Sequence, residues 1–258
     1  MAEERNFSRR GVLARMLAGA GAVALSGCDR LSETNWFPKI LGIGEKATQR
    51  VQRLVMPRKS MAQEFKESEL SPHFRSNGTS IPSNPEYMAL AEKGFADYRL
   101  EVRGLVERPT VFSLADIRAL PSRTQITRHD CVEGWSAIAK WKGCRLGALL
   151  EEVHLKPNAR FAVFHCADPM GDDGNSRYYE SIDMEDAFHP QTILAYELNG
   201  ETLGIPNGAP LRLRLERQLG YKMAKYVMSI EIVEDFSRIE RGRGGYWEDR
   251  GYEWYAGI

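Results

Sequence analysis

The chain has 258 residues, 43% hydrophobic and 27% charged, which is enough for one sizeable domain with extensions. Lys plus Arg and Asp plus Glu both number 35, but residues 1–60 carry a net charge of +6 and the remaining chain therefore carries −6. An acidic body excludes nucleic acid as the main ligand, because binding to a phosphate backbone needs clustered basic side chains.

The N-terminal segment has the features of an export signal. Arg9 and Arg10 precede an apolar stretch, residues 11–27, that contains one charge and is short for a membrane span. Residues 1–28 therefore predict a twin-arginine-type signal peptide, the export route of proteins that fold around a cofactor before crossing the membrane. Leu25-Ser26-Gly27-Cys28 is similar to a bacterial lipobox, so Cys28 is a candidate for lipidation and membrane tethering. The alternative is an uncleaved N-terminal helix with an incidental cysteine.

The next segment is polar and lacks a domain-like hydrophobic pattern. Residues 29–75 predict a linker with a short helix over residues 47–56, where apolar side chains recur at helical spacing. Residues 76–85 are dense in turn-forming residues and predict a long loop. This loop opens the predicted folded domain, residues 76–258.

Beyond the loop, short strands alternate with short helices. Strands are predicted at Leu100–Val102, Gln125–Thr127, Phe161–Phe164, Leu211–Leu215 and Met228–Val233, and helices after the candidate N-caps Ser113 and Asp183 and over Leu146–Val153. There is no internal repeat and no regular strand-helix-strand period. The predicted fold class is a mixed, strand-rich α+β domain. Arg214, in one of these strands, is expected to face water.

The four cysteines restrict the possible chemistry. If Cys28 carries lipid, an odd number of cysteines remains, so at least one is free or binds a ligand. The sequence contains no Cys-x-x-Cys pair that would support a zinc ribbon or a thioredoxin-like motif. Cys131 follows a predicted strand in Arg128-His129-Asp130-Cys131, where Arg128 or backbone N–H groups would favour the thiolate that soft or high-valent metals bind. The alternative is a small buried cysteine that fills space. Packing is the role predicted for Cys144.

Two separated motifs resemble one family of redox enzymes. Cys131-Val132-Glu133-Gly134-Trp135-Ser136, followed by Trp141-Lys142-Gly143, resembles the molybdenum-ligating segment of the sulfite oxidase family. Asn207-Gly208-Ala209-Pro210-Leu211-Arg212-Leu213 and Gly220-Tyr221-Lys222-Met223-Ala224-Lys225 resemble its pterin-binding segment. Two motifs in the same order are more specific than either alone. The resemblance covers about residues 76–235 and implies a sulfite-oxidase-type molybdopterin-binding fold in a single domain.

The resemblance also implies a cofactor and its ligands. Cys131 would bind molybdenum through its thiolate, and the cofactor would be molybdenum-molybdopterin. The implied cofactor-binding residues are Asn84, Tyr87, Cys166, Asn207, Arg212, Lys222, Met223, Ala224 and Lys225. In the N-terminal loop, Asn77 is a rival candidate to Asn84. A large anionic ligand that carries a phosphate needs converging donors and positive charge, which the arginine and lysines of this set supply.

Arg128 and His129 flank the implied metal ligand and are candidate catalytic residues that bind a polar oxo-substrate. Alternatively, the two residues have a structural role and pair with Asp130 or Glu133. The polar stretch 168–180 is expected to shape the substrate mouth. The implied activity is two-electron oxygen-atom transfer on a small oxo-substrate, either reduction of an S-oxide or N-oxide or oxidation of sulfite.

The resemblance has consequences for partners and assembly. No haem-attachment motif Cys-x-x-Cys-His is present in the sequence, so electrons are expected to pass through a membrane haem protein or a cytochrome. A monomer is expected, because the sequence has no room for the second, immunoglobulin-like domain of the family's dimers.

Three other functions stay open on the sequence alone. His129, Cys131, His165 and Cys166 are candidate zinc ligands, although their spacing is atypical of structural zinc. Cys131 with a histidine is compatible with a cysteine hydrolase. A non-catalytic exported lipoprotein would bind a partner through the aromatic segment 246–255, which is expected to pack on the body or on that partner.

Overall fold

The structure is a computed structural model that describes residues 34, 36–55, 60–170 and 176–258. The predicted signal peptide, residues 1–28 with Cys28, lies outside the described residues. The chain divides into two compact units, Met1–Leu54 and Val55–Ile258.

Helix α1, Phe37–Val55, has 19 residues. It begins ten residues before the predicted helix, because apolar residues already recur three and four positions apart from Phe37 onward. Near its C-terminal end, Val51 and Leu54 are exposed. No helix among the described residues combines the length and apolar character needed to cross a membrane.

The second unit consists mainly of strands. They are β1 (Arg99–Gly104), β2 (Thr110–Ser113), β3 (Ser122–Cys131), β4 (Trp135–Arg145), β5 (Phe161–Met170), β6 (Ser176–Asp183), β7 (Ile193–Leu198), β8 (Glu201–Thr202), β9 (Arg212–Arg214) and β10 (Val227–Val233). Its α-helices are α2 (Pro85–Glu92), α3 (Leu114–Ala119), α4 (Leu146–Val153) and α5 (Met184–Ala187). Four short 3-10 helices span Glu67–Glu69, Ile205–Asn207, Gly220–Lys222 and Glu248–Arg250.

The strands form two sheets. The first has the order β2-β1-β10-β5-β6, in which β1 and β10 are parallel and the other neighbours antiparallel. The second has the order β3-β4-β7-β8, and β9 also pairs with β7. One buried cluster contains Leu100 and Ile230 of the first sheet, Leu194 and Leu213 of the second, and Leu149 of α4. This shared core confirms the predicted single, strand-rich α+β domain.

Capping side chains fix where the helices start. Ser113 Oγ accepts a hydrogen bond from Asp116 N at 3.2 Å, and Ser113 N donates to Asp116 Oδ2 at 2.8 Å. Asp183 caps α5 with its side chain. Both predicted caps are therefore confirmed. Asn84, predicted as a cofactor ligand, also acts as a cap, since its Oδ1 accepts from Tyr87 N at 3.0 Å.

Residues 60–75 belong to the packed body, although they were predicted to be part of a linker. Phe65 N donates to Ile126 O of β3 at 2.9 Å. The ring of Phe74 contacts that of Trp141, with centroids 5.1 Å apart. The first contact pairs this segment with the edge strand β3, and the second packs it against a side chain of β4. The body therefore begins before the predicted boundary at residue 76.

Gly143 tests the packing of β4 against β7. A Cβ at this position would lie 2.3 Å from Leu194 O and 2.6 Å from Ala195 Cα. We expect Gly143→Ala to lower the free energy of unfolding by about 3 kcal/mol or more, measured by urea denaturation, because backbone must shift to admit the methyl group. Gly204 is the control: its φ is −76° and its nearest contact would be 3.8 Å away, so Gly204→Ala should change stability by less than about 1 kcal/mol. Equal losses in both variants would contradict this account.

Candidate active site

A cavity of about 250 Å³ lies at the C-terminal end of β3. Its lining includes the loop residues Asn77 and Thr79, Cys131 at the end of β3, Lys225, and Trp247 from the aromatic segment. The cavity therefore brings together residues from the N-terminal loop, from both predicted motifs and from the far end of the described chain.

Cys131 is buried, with 8% of its surface exposed. Burial raises the pKa of its thiol, and a backbone hydrogen bond from Glu133 only partly offsets this effect. The predicted activation by Arg128 is therefore not found. A thiolate here needs a stronger local cation, and a bound metal ion supplies one, because a coordinating thiol is deprotonated outright.

Arg128 points away from the cavity. Its side chain is 54% exposed, and its Nε lies 2.9 Å from Asp130 Oδ1. Successive side chains of a strand point to opposite faces, so Arg128 cannot share the inward face of His129 and Cys131. Arg128 is therefore paired with Asp130, which was the structural alternative to a catalytic role.

His129 is fully buried behind Cys131. Its Nδ1 lies 3.1 Å from Arg214 Nη1 and 3.3 Å from Met223 Sδ. Because a guanidinium only donates, Nδ1 accepts and the proton of the neutral ring is on Nε2. Burial and the charges of Arg212 and Arg214 hold the pKa of His129 well below its usual range, so the ring is neutral. The Nε2–H has no protein hydrogen-bond partner.

The expectation that Arg214 faces water is wrong. All three residues of β9 are buried, and the Arg214 guanidinium lies over Trp141, 4.3 Å from its ring centroid. Arg214 Nη2 pairs with Glu216 Oε2 at 2.6 Å, and both side chains are fully buried. The alternation of leucine and arginine predicted that the arginine face of the strand would be exposed to water. In fact the arginine face of β9 lies on the aromatic side chains of the second sheet.

Arg212 is also fully buried, but it has no carboxylate partner. Its Nη1 donates to Asn207 O at 3.2 Å and its Nη2 to Asn77 Oδ1 at 3.1 Å, while Nε has no partner. Burial, and then the charge of Arg214, lower the pKa of Arg212 to about 9, so it remains charged near neutral pH. Asn77, weighed against Asn84 in the sequence, is thus the loop asparagine that reaches the site.

Lys225 is the second buried cation. Its Nζ donates to Asn77 O at 2.5 Å and Thr79 O at 2.6 Å. Burial and the charge of Arg212 lower its pKa to about 7. A Cβ at Gly208, whose φ is +111°, would lie 3.0 Å from Lys225 Cβ and 3.3 Å from Arg212 Cβ. The glycine therefore allows the two cationic side chains to lie close together.

These observations fit an anionic ligand. Among the ion pairs of the described residues, none involves Arg212 or Lys225. Buried charges are normally paired, so two unpaired cations beside a cavity indicate a negative group that completes the site. The unpartnered Arg212 Nε and His129 Nε2 are donors that such a group can use. A pterin that carries a phosphate matches this donor set.

The other predicted cofactor residues, except Met223, lie behind the lining. Tyr87 is fully buried, and its hydroxyl donates to Ala209 O at 2.7 Å. Met223 lines the cavity, and Ala224 supports it through its carbonyl, which accepts from Leu213 N at 2.8 Å. Asn207 contributes its carbonyl to Arg212.

Lys222 and Cys166 lie outside the lining. Lys222 Nζ is fully buried between Glu180, at 2.5 Å, and Glu248, at 2.7 Å. It therefore holds the aromatic segment to β6 instead of pointing into the cavity. Cys166 is buried in β5, beside a second cavity that also contains His165.

The zinc alternative finds no convergent ligand set. Within the described ranges, no group of three or more His, Cys, Asp or Glu side chains is arranged to hold a metal ion. His165 Nε2 instead lies 3.0 Å from Glu231 Oε2. His129 cannot serve as the base of the cysteine-hydrolase hypothesis, because its Nδ1 accepts from Arg214 and its Nε2 carries the proton.

Sequence reasoning missed Asp168, Trp247 and Tyr252 as individual site residues, whereas Gly220 belongs to the pterin motif. A Cβ at Gly220 would lie 2.4 Å from His129 Cε1, so only glycine lets this turn pass the ring. The aromatic segment, expected to pack on the body or a partner, packs on the body: Tyr246 is buried and its N donates to Tyr179 O at 3.0 Å. Its density of rings was the signal that it had a structural or binding role.

Comparisons with known proteins agree with the site. Residues 87–239 match the oxidoreductase molybdopterin binding domain. The chain is 35% identical over 252 residues, 97% of its length and 88% of the relative's, to YedZ1 of Azospira oryzae, named as a candidate protein-methionine-sulfoxide reductase subunit.

More distant relatives match the central part of the chain. The catalytic subunits MsrP of protein-methionine-sulfoxide reductase from Ralstonia nicotianae and Xanthomonas axonopodis pv. citri are 34% and 35% identical over 145 residues. Each match covers 53% of this chain but less than half of the relative, 44% and 45%. The sulfane dehydrogenase SoxCD of Paracoccus pantotrophus is 27% identical over 54% of this chain and 39% of that one, with a TM-score of 0.49.

The chain belongs to the family of molybdopterin-binding oxidoreductases. Within it, the relatives and the paired motifs assign the chain to the sulfite oxidase type, an enzyme whose cofactor is molybdenum-molybdopterin. The resemblance inferred from the sequence is thereby confirmed.

Lys225 should give the cofactor-free protein a pH-dependent stability. Its pKa is about 7 in the folded chain against 10.5 for the free side chain, so between these values the unfolded chain binds a proton that the folded chain lacks. Stability should therefore rise from about pH 7 to 10, by up to about 1 kcal/mol per pH unit, and the cost of burial should be fully present below pH 7.

The measurement is urea unfolding of cofactor-free protein across this range. Lys225→Met should remove the rise, whereas Lys156→Met, which changes an exposed lysine, should keep it. A rise that persists unchanged in Lys225→Met would show that another group causes it.

Proposed function

We propose that this enzyme reduces a neutral organic S-oxide, with Cys131 as the protein ligand to molybdenum. The single observation that carries the site assignment is the pair of buried, unpaired cations beside the Cys131 cavity. The names of the relatives support the direction, because YedZ1 and both MsrP proteins are named for protein-methionine-sulfoxide reduction. The balanced reaction converts a sulfoxide, two protons and two electrons to a thioether and water.

Each part of the cofactor has a proposed binding group. Arg212 and Lys225 neutralise its anionic groups, and Asn77 positions Arg212 through its side-chain oxygen. The neutral His129 is on the same face of β3 as Cys131, and its Nε2–H is available as a donor. When bound, the cofactor supplies two-electron oxygen-atom transfer, while the protein orients the substrate and limits access of water.

Asp168 is the proposed proton donor. It lines the cavity, and its Oδ1 has no protein hydrogen-bond partner. Burial raises the pKa of Asp168, while a hydrogen bond from Thr79 and the charge of Lys225 oppose the shift. A carboxyl group with a raised pKa can hold a proton closer to neutral pH and release it to the oxygen that leaves sulfur.

The setting of the reaction follows from the sequence features. We propose that the twin-arginine-type signal in residues 1–28 directs export and that Cys28 carries a lipid. The folded domain would act as a monomer in the periplasm. Electrons would come from a membrane haem protein or a cytochrome, because the reaction needs two electrons and the chain has no haem-attachment motif.

The proposal is tested on purified enzyme with a reduced dye as electron donor. Molybdenum and pterin should be present in a ratio near one per chain, and methionine sulfoxide should be reduced faster than sulfite is oxidised with a dye acceptor. A well-folded protein that contains neither molybdenum nor pterin would end the assignment. Faster oxidation of sulfite would reverse the proposed direction.

Replacing the proposed metal ligand should separate Cys131 from the other buried cysteines. We expect Cys131→Ser to lower sulfoxide reduction by at least about 100-fold and to reduce bound molybdenum, because a hydroxyl is a poorer ligand than a thiolate for this metal. Molybdenum is measured by elemental analysis and pterin by fluorescence after extraction. Cys144→Ala is the matched control, since Cys144 is buried in the shared core away from the cavity, and it should keep its molybdenum. Full retention of molybdenum in Cys131→Ser would reject the ligand.

The two loop asparagines should behave differently. Asn77→Ala should lower the cofactor content, because Asn77 accepts from Arg212 and lines the cavity. Asn84→Ala should instead lower the free energy of unfolding by about 1 kcal/mol through loss of the α2 cap, with the cofactor content retained. Pterin extraction and urea denaturation measure the two effects. The opposite pattern would make Asn84 the cofactor residue.

A further inference from the structure

Five aromatic side chains form a continuous series of ring contacts at the cavity. Neighbouring ring centroids are 6.0 Å apart for Tyr178 and Tyr246, and 5.3 Å apart for Tyr246 and Trp247, for Trp247 and Tyr252, and for Tyr252 and Tyr221. All except Tyr246 line the same cavity as Cys131. We call these five side chains the aromatic wall.

The aromatic wall extends from the interior to the surface. Tyr178 and Tyr221 are each 8% exposed, whereas Tyr252 is 40% exposed. Trp247 is half-buried, and its ring is stacked on Tyr252 at an interplanar angle of 25°. The wall therefore offers a ligand an apolar surface that reaches from solvent into the cavity.

Buried polar contacts hold the wall in place. Tyr221 Oη donates to Glu253 O at 2.5 Å. Lys222, next to Tyr221, is fully buried and bound to Glu248, next to Trp247, at 2.7 Å. Because the rings are fixed before a ligand arrives, little side-chain freedom is lost on binding.

The charges in the lining disfavour an inorganic oxyanion. Within the described part of the chain, the ionisable side chains that line this cavity are Glu133, Asp168 and Lys225. The Lys225 charge is assigned above to the anionic cofactor. An oxyanion such as sulfite would then meet the carboxyl groups of Glu133 and Asp168 and no uncommitted cation, whereas a neutral molecule with an apolar arm would meet ring surfaces.

We propose that Trp247 and Tyr252 form a subsite for the apolar arm of a neutral organic sulfoxide, and that this subsite determines which sulfoxides the enzyme prefers. The proposal rests on the proposed function. The alkyl arm packs against the two stacked rings, while the sulfoxide oxygen is directed deeper into the cavity. Preference should increase with the apolar area of the arm, because each added methylene group leaves water on binding.

The test compares dimethyl sulfoxide with methyl butyl sulfoxide, using molybdenum-loaded enzyme and a reduced dye. In the unchanged enzyme, kcat/KM should be higher for the butyl compound. Trp247→Ala should lower kcat/KM for methyl butyl sulfoxide about tenfold, mainly through KM, and change that for dimethyl sulfoxide less than about threefold. Trp247→Phe should restore most of the preference, because it keeps an aromatic face.

A non-reducible ligand gives a second readout. Methyl butyl sulfone should bind to the unchanged enzyme, and its Kd from titration calorimetry should rise about tenfold in Trp247→Ala. Trp254→Phe is the control, since Trp254 stacks on Phe236 and is not part of the cavity lining. It should change neither the substrate preference nor the sulfone Kd.

Different results would overturn different claims. An equal loss for both sulfoxides in Trp247→Ala, or an unchanged sulfone Kd, would reject the subsite while sulfoxide reduction itself stands. Absence of molybdenum or of any sulfoxide reduction would reject the proposed function, and the sulfone titration would still decide whether the two rings bind an apolar arm.

Discussion

Arg212 and Lys225 lie close together in the interior, and neither forms an ion pair with a carboxylate among the described residues. Burying a charge is costly unless it is paired, and here only neutral carbonyl and amide oxygens receive the donated hydrogen bonds. The folded chain therefore retains an unbalanced positive charge beside Cys131. An anionic cofactor supplies the missing negative charge, so its binding completes the electrostatics of the interior as well as the catalytic chemistry.

The remaining parts of the site follow from this constraint. Gly208 permits the close approach of the two cations, and Gly220 leaves room for the neutral ring of His129. The loop at Asn77 contacts both cations, and aromatic side chains also line the cavity. Under the proposed function, the cations bind the cofactor and the rings contact the substrate.

Much of the fold was predictable because it depends on local patterns. The caps Ser113 and Asp183 and the helix Leu146–Val153 were correct, since capping and apolar periodicity act within a few residues. Strand β4 was not predicted, because its inward positions are mostly small, such as Ala137 and Ala139, and give a weak alternation of hydrophobicity.

Site residues that belong to sequence motifs were predictable. Residues whose positions depend on contacts between distant parts of the chain were less so. Arg212 and Lys225 were identified by their motif and lie beside the cavity. Lys222, three residues before Lys225, pairs with Glu180 and Glu248 instead, and no local pattern distinguishes the two lysines. Arg214 was misplaced for the same reason, because its partners, Trp141 and His129, are brought to it by the second sheet.

The buried pair of Lys222 and Glu248 also constrains the order of events during biosynthesis. Lys222 is adjacent to the turn that lines the cavity, and one of its two counter-charges, Glu248, is encoded 26 positions downstream. Until the ribosome has released that downstream stretch, the ammonium group has incomplete neutralisation and the substrate side of the cavity has no rings from Trp247 and Tyr252. A cofactor that binds to the nascent chain would therefore find an incomplete pocket. The complete lining of the cavity therefore forms only after synthesis has passed Tyr252.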